Sequence, residues 1–420
     1  MTTLGKYELH EEIGRGGFAT VYRATHTLLE SEAAVKVLDQ KRLTQPQARQ
    51  RMEREARIAA GLSHPHLVKI FDLIQEGETL AIAMEYLRGG NLRQWLEKNP
   101  HDVPTILDIL AQVASALDYL HSQRYQSDRP LLHRDVKPEN VLLDRDPLTG
   151  QPLAKLSDFG LVLDPQSATS LTQAQNIPGT AYYVSPDIME VPSEALDGRS
   201  DQYSLAVMAY ELLTGKRPFE GKDPVAVMTK RLDEPPPRPS EVNPETPLEF
   251  DEPLLKALQK APENRYATCT EFVRKLQESW QASLLRRVRE LVEAAQAASA
   301  AGEFKQARDL LRQAEALVPG EPRIEQARRS IDRQAELAQR YQQAQQNWLT
   351  AQQKARAVLD LAPDFPDPQG ILVTLGARPP RKAPFDWRGL LLQIGVALLL
   401  AAPLTLLLHV LAILWILNKK

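Results

Sequence analysis

Cysteine is nearly absent from this chain of 420 residues. Cys269 stands alone, so no internal disulfide can form and nothing calls for an oxidising compartment. Charge of one sign is lacking too. The 51 Lys and Arg against 54 Asp and Glu leave a formal net charge of −3, which removes bulk basicity as a route to nucleic acid, so no nucleic-acid partner is expected. The opening stretch Met1–Gly14 has no apolar core and is not a secretory leader. What is present is ordinary for a globular protein, with 25% charged and 43% hydrophobic residues. The length allows about two to three folded units.

Composition shifts along the chain. From Tyr7 to Gln277, β-branched runs alternate with amphipathic helical periods and turn residues, the pattern of an α+β domain. Residues 283–361 turn rich in Ala, Gln, Arg, Glu and Leu, a composition for helices. Residues 362–389 form a basic linker dense in proline (Pro363, Pro366, Pro368, Pro379, Pro380, Pro384). Leu390–Leu417 then runs for 28 residues without a formal charge. As a helix it would reach about 42 Å against a hydrocarbon core of about 30 Å, enough to cross a membrane once with tilt. A buried core helix is the competing reading. Pro403 would kink the span.

The first chemical signal is the run Ile13-Gly14-Arg15-Gly16-Gly17-Phe18-Ala19-Thr20-Val21-Tyr22. Closely spaced glycines let backbone N–H groups approach a triphosphate without Cβ interference. Strand-like flanks make this a hairpin over a nucleotide rather than a strand-to-helix dinucleotide loop. Next, Lys36 sits in the apolar run Ala33–Leu38. An inward lysine there needs an anion, because an unpaired buried charge is costly. Glu55 on the following helical stretch is the expected partner, with Glu53 the runner-up. A lysine facing water on an edge strand is the bland alternative.

One short loop, Leu131–Leu142, then holds Asp135, Lys137 and Asn140: a base that can orient a hydroxyl, a cation and an oxygen donor. After a short apolar strand comes Asp158 in Ser157-Asp158-Phe159-Gly160. Asn140 and Asp158 together can hold Mg²⁺, a hard cation that takes oxygen ligands and keeps phosphates in its shell. Agreement of these pieces in order and context carries more weight than any one of them.

Together these motifs resemble the eukaryotic-like Ser/Thr protein kinases of bacteria, over residues 7–277. The resemblance implies an α+β, two-lobed kinase fold, with ATP bound at the hinge and Mg²⁺ beside it. By that resemblance Lys36 contacts the α- and β-phosphates and pairs with Glu55. Asp135 orients the substrate hydroxyl, Lys137 meets the γ-phosphate, and Asn140 and Asp158 hold the metal. Met84 takes the gatekeeper position, and Glu85 and Leu87 offer backbone groups to adenine. Ile13, Gly14, Arg15, Gly16, Gly17, Phe18, Ala19, Val21, Ala34, Lys36 and Leu142 complete the nucleotide site. Thr180 would bridge Asp135 and Lys137. Lys137, and Gly179-Thr180 followed by Tyr183, fit the Ser/Thr class. Asp201 would brace the catalytic loop, and Arg134 would capture a phosphate on Thr169, Ser170 or Thr172. The substrates are expected to be proteins.

The chain departs from that family in places. Ala19 replaces the third glycine, a mild change. Ser185-Pro186-Asp187 replaces Ala-Pro-Glu, and its shorter acid is expected to reach Arg265 by a backbone adjustment or a bridging water. Arg124–Pro130 and Asp144–Pro152 are longer than the family norm, the second reading as a hairpin turn. His64 and His66 are expected to be structural, and His133 to pack. A pseudokinase scaffold, or a small-molecule phosphotransferase on the same fold, are the rival functions.

In residues 283–361 the stretch Gly302-Glu303-Phe304 to Pro319 follows half of a tetratricopeptide-like repeat, and a generic helical hairpin or coiled coil fits as well. Arg378, Arg381, Lys382 and Arg388 outweigh Lys419 and Lys420, which places the catalytic domain in the cytoplasm and the C-terminus outside the cell membrane. With so little chain past the span, no external sensor is expected. Homodimerisation or transient self-association is the expected route to phosphorylation in trans.

Overall fold

The computed structural model describes residues 2–16, 19–38, 53, 56–99, 102–124, 130–158, 182–190, 195–361, 363, 374 and 376. It divides into two units, Met1–Ser283 and Leu284–Lys420.

In the first unit, six antiparallel strands form a sheet in the order β1-β2-β3-β4-β6-β5. They are β1 (Thr2–Leu4), β2 (Tyr7–Arg15), β3 (Ala19–His26), β4 (Glu32–Leu38), β5 (Ile70–Glu76) and β6 (Thr79–Met84). Alternation along β4 sorts its side chains onto two faces. Val35 joins Leu4, Tyr7, Ala24 and Ile74 on one face, while Ala34 joins Val68, Met84 and Leu87 on the other.

Helices supply most of the remainder of this unit. Val103–Ser122 starts where the Asp102 carboxylate accepts the Thr105 N–H at 2.9 Å. It is the one described helix long and apolar enough to cross a membrane, but its buried face belongs to the core of this unit. Residues 390–417 lie outside the described residues. Arg199–Thr214 is buried on nearly every side and ends on Gly215 in the left-handed region at φ 77°. Burial of its polar Gln202 is compensated: the amide donates to the carbonyls of Tyr266 and Thr268, both at 2.9 Å, and accepts the Tyr266 N–H at 3.1 Å.

A second small sheet pairs β7 (Val141–Arg145) with β8 (Pro152–Leu156). Asp146 shapes its turn, accepting the N–H groups of Leu148 and Thr149 at 2.9 and 2.8 Å. This hairpin carries the chain from Asn140 to Asp158.

In the second unit, Phe304–Leu317 and Pro322–Leu361 pack with the preceding helical residues around Val288, Ala295, Ala307, Leu311, Ala314, Ile324 and Ile331. Half of the buried residues in that core are alanines, which allow close helix approach. Gly302 and Gly320, at φ 83° and 78°, make the turns between helices.

Candidate active site

The glycine-rich run forms the β2–β3 hairpin, with Gly14 opposite Val21, Arg15 opposite Thr20 and Gly16 N–H donating to the Ala19 carbonyl at 2.9 Å. Neither Gly14 nor Gly16 has a positive φ. A Cβ on Gly14 would come no closer than 3.9 Å to its neighbours, and one on Gly16 no closer than 3.7 Å. The fold therefore does not need glycine at these positions, and what the missing side chains leave open is room for a ligand. Arg15 pairs with Glu12, and Ile13 is partly exposed. Gly17, Phe18, Glu55 and Thr180 lie outside the described residues.

Beneath the hairpin, Ala34, Met84 and Leu87 pack together with Val21 and Leu142. These apolar side chains come from two sheets and the segment between them, and they make a surface suited to a flat aromatic base. The Glu85 N–H already donates to the Lys69 carbonyl at 2.9 Å, so the backbone group Glu85 can offer a ligand is its own carbonyl oxygen. The Glu85 carboxylate holds Lys155 at 2.7 and 2.9 Å and thus fastens this segment to β8.

Lys36 stands beside Ala34 on the same face of β4, and its Nζ lies 2.6 Å from Asp158 Oδ1. The two residues are 122 positions apart in the chain. Burial pushes the Asp158 carboxyl up, but Lys36 and Lys137 outweigh it and hold the group below the usual carboxylate range. On the adjoining loop, Lys137 Nζ is 2.7 Å from Asp135 Oδ2, and the Asn140 amide donates to the same oxygen at 2.8 Å. That leaves the Asn140 carbonyl as the end able to meet a cation. The donor set of Asn140 and Asp158 oxygens, with two lysines alongside, fits a divalent ion carrying phosphates.

Two backbone positions here are strained. Arg134 and Asp158 have φ of 65° and 61°, in the region that non-glycine residues avoid. A buried scaffold holds the first. Asp201, fully buried, accepts the N–H groups of His133 and Arg134 at 2.8 and 2.7 Å and meets His121 Nε2 at 2.8 Å. The His133 ring packs as expected, with Nε2 2.9 Å from the Ser157 carbonyl. His64 likewise stacks on Tyr119 and contacts Ser115.

Of the two routes expected for the Asp187–Arg265 pair, the bridging water is not the one taken. The pair is direct, at 2.8 Å through one carboxylate oxygen. Hydroxyls of Ser185 and Ser200 donate to the same carboxylate, and Arg265 spends its other donors on the carbonyls of Gln259, Lys260 and Arg199 and on the Ser185 hydroxyl. Two serine hydroxyls thus join Arg265 in satisfying the shorter acid.

Some contributors are invisible in the sequence. Arg93 donates to Glu139 at 2.6 Å and to the Tyr183 hydroxyl at 2.7 Å, and Tyr183 in turn donates to Glu211. His121 belongs to the same class. Only a long-range contact reveals such residues, since no local spacing marks them. Asp118, His121 and Cys269 place ligand atoms within 4.8 Å of one another. However, Asp118 caps the helix Cys269–Ala300, accepting the N–H groups of Cys269 and Thr270 at 2.9 Å each, and His121 is committed to Asp201. Capping accounts for that cluster without a metal.

A six-stranded antiparallel sheet joined to a largely helical core, with a lysine–aspartate pair beside an Asp-Lys-Asn loop, defines the protein kinase class. The family model for the protein kinase domain matches residues 7–280, and the chain belongs to that family. It is similar to PknE of Mycobacterium tuberculosis, 37% identical over 275 residues, covering 64% of this chain and 45% of that protein. PrkC of Bacillus subtilis is 32% identical over 286 residues, covering 68% and 42%. Both are named as serine/threonine-protein kinases. Among solved structures, the kinase domain of Mycobacterium tuberculosis PknI matches with a TM-score of 0.50 and 30% identity, covering 66% of this chain and 98% of that one. The chain spans less than half the length of these two curated relatives.

Proposed function

We propose that this protein is a membrane-anchored Ser/Thr protein kinase that transfers the γ-phosphate of ATP to hydroxyls of protein substrates and of its own activation segment. The carrying observation is the convergence of Lys36–Asp158 and Asp135–Lys137–Asn140, five groups from three chain segments. In this reading Lys36 holds the α- and β-phosphates, and Asn140 and Asp158 hold Mg²⁺. Lys137 neutralises charge at the γ-phosphate while Asp135 orients the acceptor hydroxyl. When bound, Mg²⁺ supplies charge stabilisation across the phosphates. Gly14, Arg15, Gly16 and Ala19 cover the nucleotide, and Val21, Ala34, Met84, Leu87 and Leu142 flank the base. The intact set of ionisable groups favours turnover over a pseudokinase scaffold.

The remaining parts of the reading rest on sequence. Leu390–Leu417 anchors the chain, with the kinase domain, residues 7–277, in the cytoplasm. Residues 283–361 act as a tetratricopeptide-like or generic helical module for self-association, which the exposed Leu337, Tyr341 and Trp348 favour. Thr169, Ser170 and Thr172 are the candidate acceptors for loop phosphorylation.

The test is incubation of the full chain, in detergent, with radiolabelled ATP and Mg²⁺, followed by phosphoamino-acid analysis. Label on serine or threonine that disappears in Lys36→Met is the expected result. Label on tyrosine alone, or equal incorporation in Lys36→Met, would overturn the reading.

A further inference from the structure

Arg231 is a cation at a core position. The helix Pro224–Asp233 buries Val227, Met228 and Arg231, and the arginine is only 1% exposed. Its Nη1 donates to the Val184 carbonyl at 2.5 Å. Its Nε and Nη2 are shielded from solvent and have no hydrogen-bond partner among the described residues. Those two nitrogens form one edge of the guanidinium plane. Arg15, Arg23 and Arg88 offer that same edge to the carboxylates of Glu12, Glu11 and Glu32. Arg231 thus presents a complete anion-binding edge inside the core.

The surroundings add positive charge rather than remove it. Arg265 stands over the Tyr203 ring, 4.8 Å from its centroid, and Tyr203 lies near enough to Arg231 for each to bias the other's protonation. Lys260 donates to the Arg231 carbonyl and lies over the Phe219 ring. Burial, with Arg231 and Arg265, pushes the Lys260 ammonium down to about 8 against the opposing pull of Asp233 and Glu234. Asp187 is the acid that acts on Tyr203, and Arg265, Ser185 and Ser200 already occupy it. Burial pushes Arg231 below its ordinary value, and among the described residues only Tyr203 opposes that. The Tyr203 hydroxyl is itself shielded and without a hydrogen-bond partner among the described residues.

We propose that the Nε–Nη2 edge of Arg231, beside Tyr203, binds a small inorganic monoanion of the halide class. A guanidinium edge only donates, so its partner must accept. Water can accept, but it leaves the charge uncompensated, and an unpaired charge in the interior is costly. Enclosure sets the size. With Arg231 1% and Tyr203 0% exposed, the site suits a single spherical ion rather than a phosphate. The anion neutralises Arg231 and so secures its grip on Val184. This inference is independent of the kinase reading, because it concerns binding and stability alone.

The test melts the full chain, in detergent, in sodium chloride and in sodium gluconate at equal ionic strength. Gluconate is too bulky for so enclosed a site. The wild type should melt about 3 °C or more higher in chloride, with the gap widening as the concentration rises. Arg231→Met keeps an apolar stem, removes the edge and should lose that gap. Bromide, which scatters anomalously, gives a direct readout on wild-type crystals. A bromide peak in contact with Arg231 Nε and Nη2 is expected, and it decides the matter if Arg231→Met fails to fold. Equal melting of the wild type in the two salts would overturn the proposal and leave water as the partner of Arg231. A chloride gap undiminished in folded Arg231→Met would overturn it as well, as would bromide crystals with no peak at that edge.

Discussion

At the scale of single residues, the groups legible in the sequence are those whose chemistry is packed into short runs. Asp135, Lys137 and Asn140 lie within six positions, and the structure joins them through contacts of 2.7 to 2.8 Å. Lys36 and Asp158 were legible separately, but their direct pairing was not, because 122 positions intervene. Nor could spacing reveal that Arg134 and Asp158 sit in the left-handed region, or that Gly198 makes room for His121. The Asp187 site makes the same point energetically. Asp187 and Arg265 are almost fully buried, so removing one partner strands a charge. Asp187→Ala should cost about 3–5 kcal/mol, read as a lower denaturant midpoint at unchanged slope. A loss under about 1 kcal/mol would mean that the serines and carbonyls satisfy Arg265 by themselves.

At the scale of elements, strands and capped helices follow from alternation and end signals. The β2–β3 hairpin lies where its glycines fall, and Asp102 starts the helix Val103–Ser122. The helix Arg199–Thr214 was the least legible. It buries Ser200, Asp201, Gln202 and Ser204 along with its apolar residues, so no amphipathic stripe marks it. Its polar side chains serve as fasteners to other segments. Gln202→Leu, close in volume, would strand an N–H and a carbonyl of Tyr266 and the carbonyl of Thr268. The expected loss is about 2 kcal/mol or more of unfolding free energy. Calorimetry or denaturant titration would measure it, and a neutral substitution would show those groups finding other partners.

At the scale of the whole molecule, the sequence-based division into kinase domain, helical region, linker and span leads to a testable model of signalling. Confinement to a membrane raises the effective concentration of neighbouring kinase domains and so favours phosphorylation in trans. Removal of residues 390–420 should release an active chain whose autophosphorylation rate per molecule rises with concentration. Removal of 283–420 should weaken that dependence. Equal, concentration-independent rates in both truncations would make the reaction intramolecular. The central claim concerns Asp135, because it separates a working kinase from a folded scaffold. The most direct measurement is single-turnover phosphate transfer by wild type and Asp135→Asn, with Mg²⁺–ATP binding measured on the same samples. The account requires wild-type transfer, equal nucleotide binding in both, and transfer lowered by roughly 1,000-fold or more in Asp135→Asn. Equal transfer in both proteins, or binding without transfer in the wild type, would contradict it.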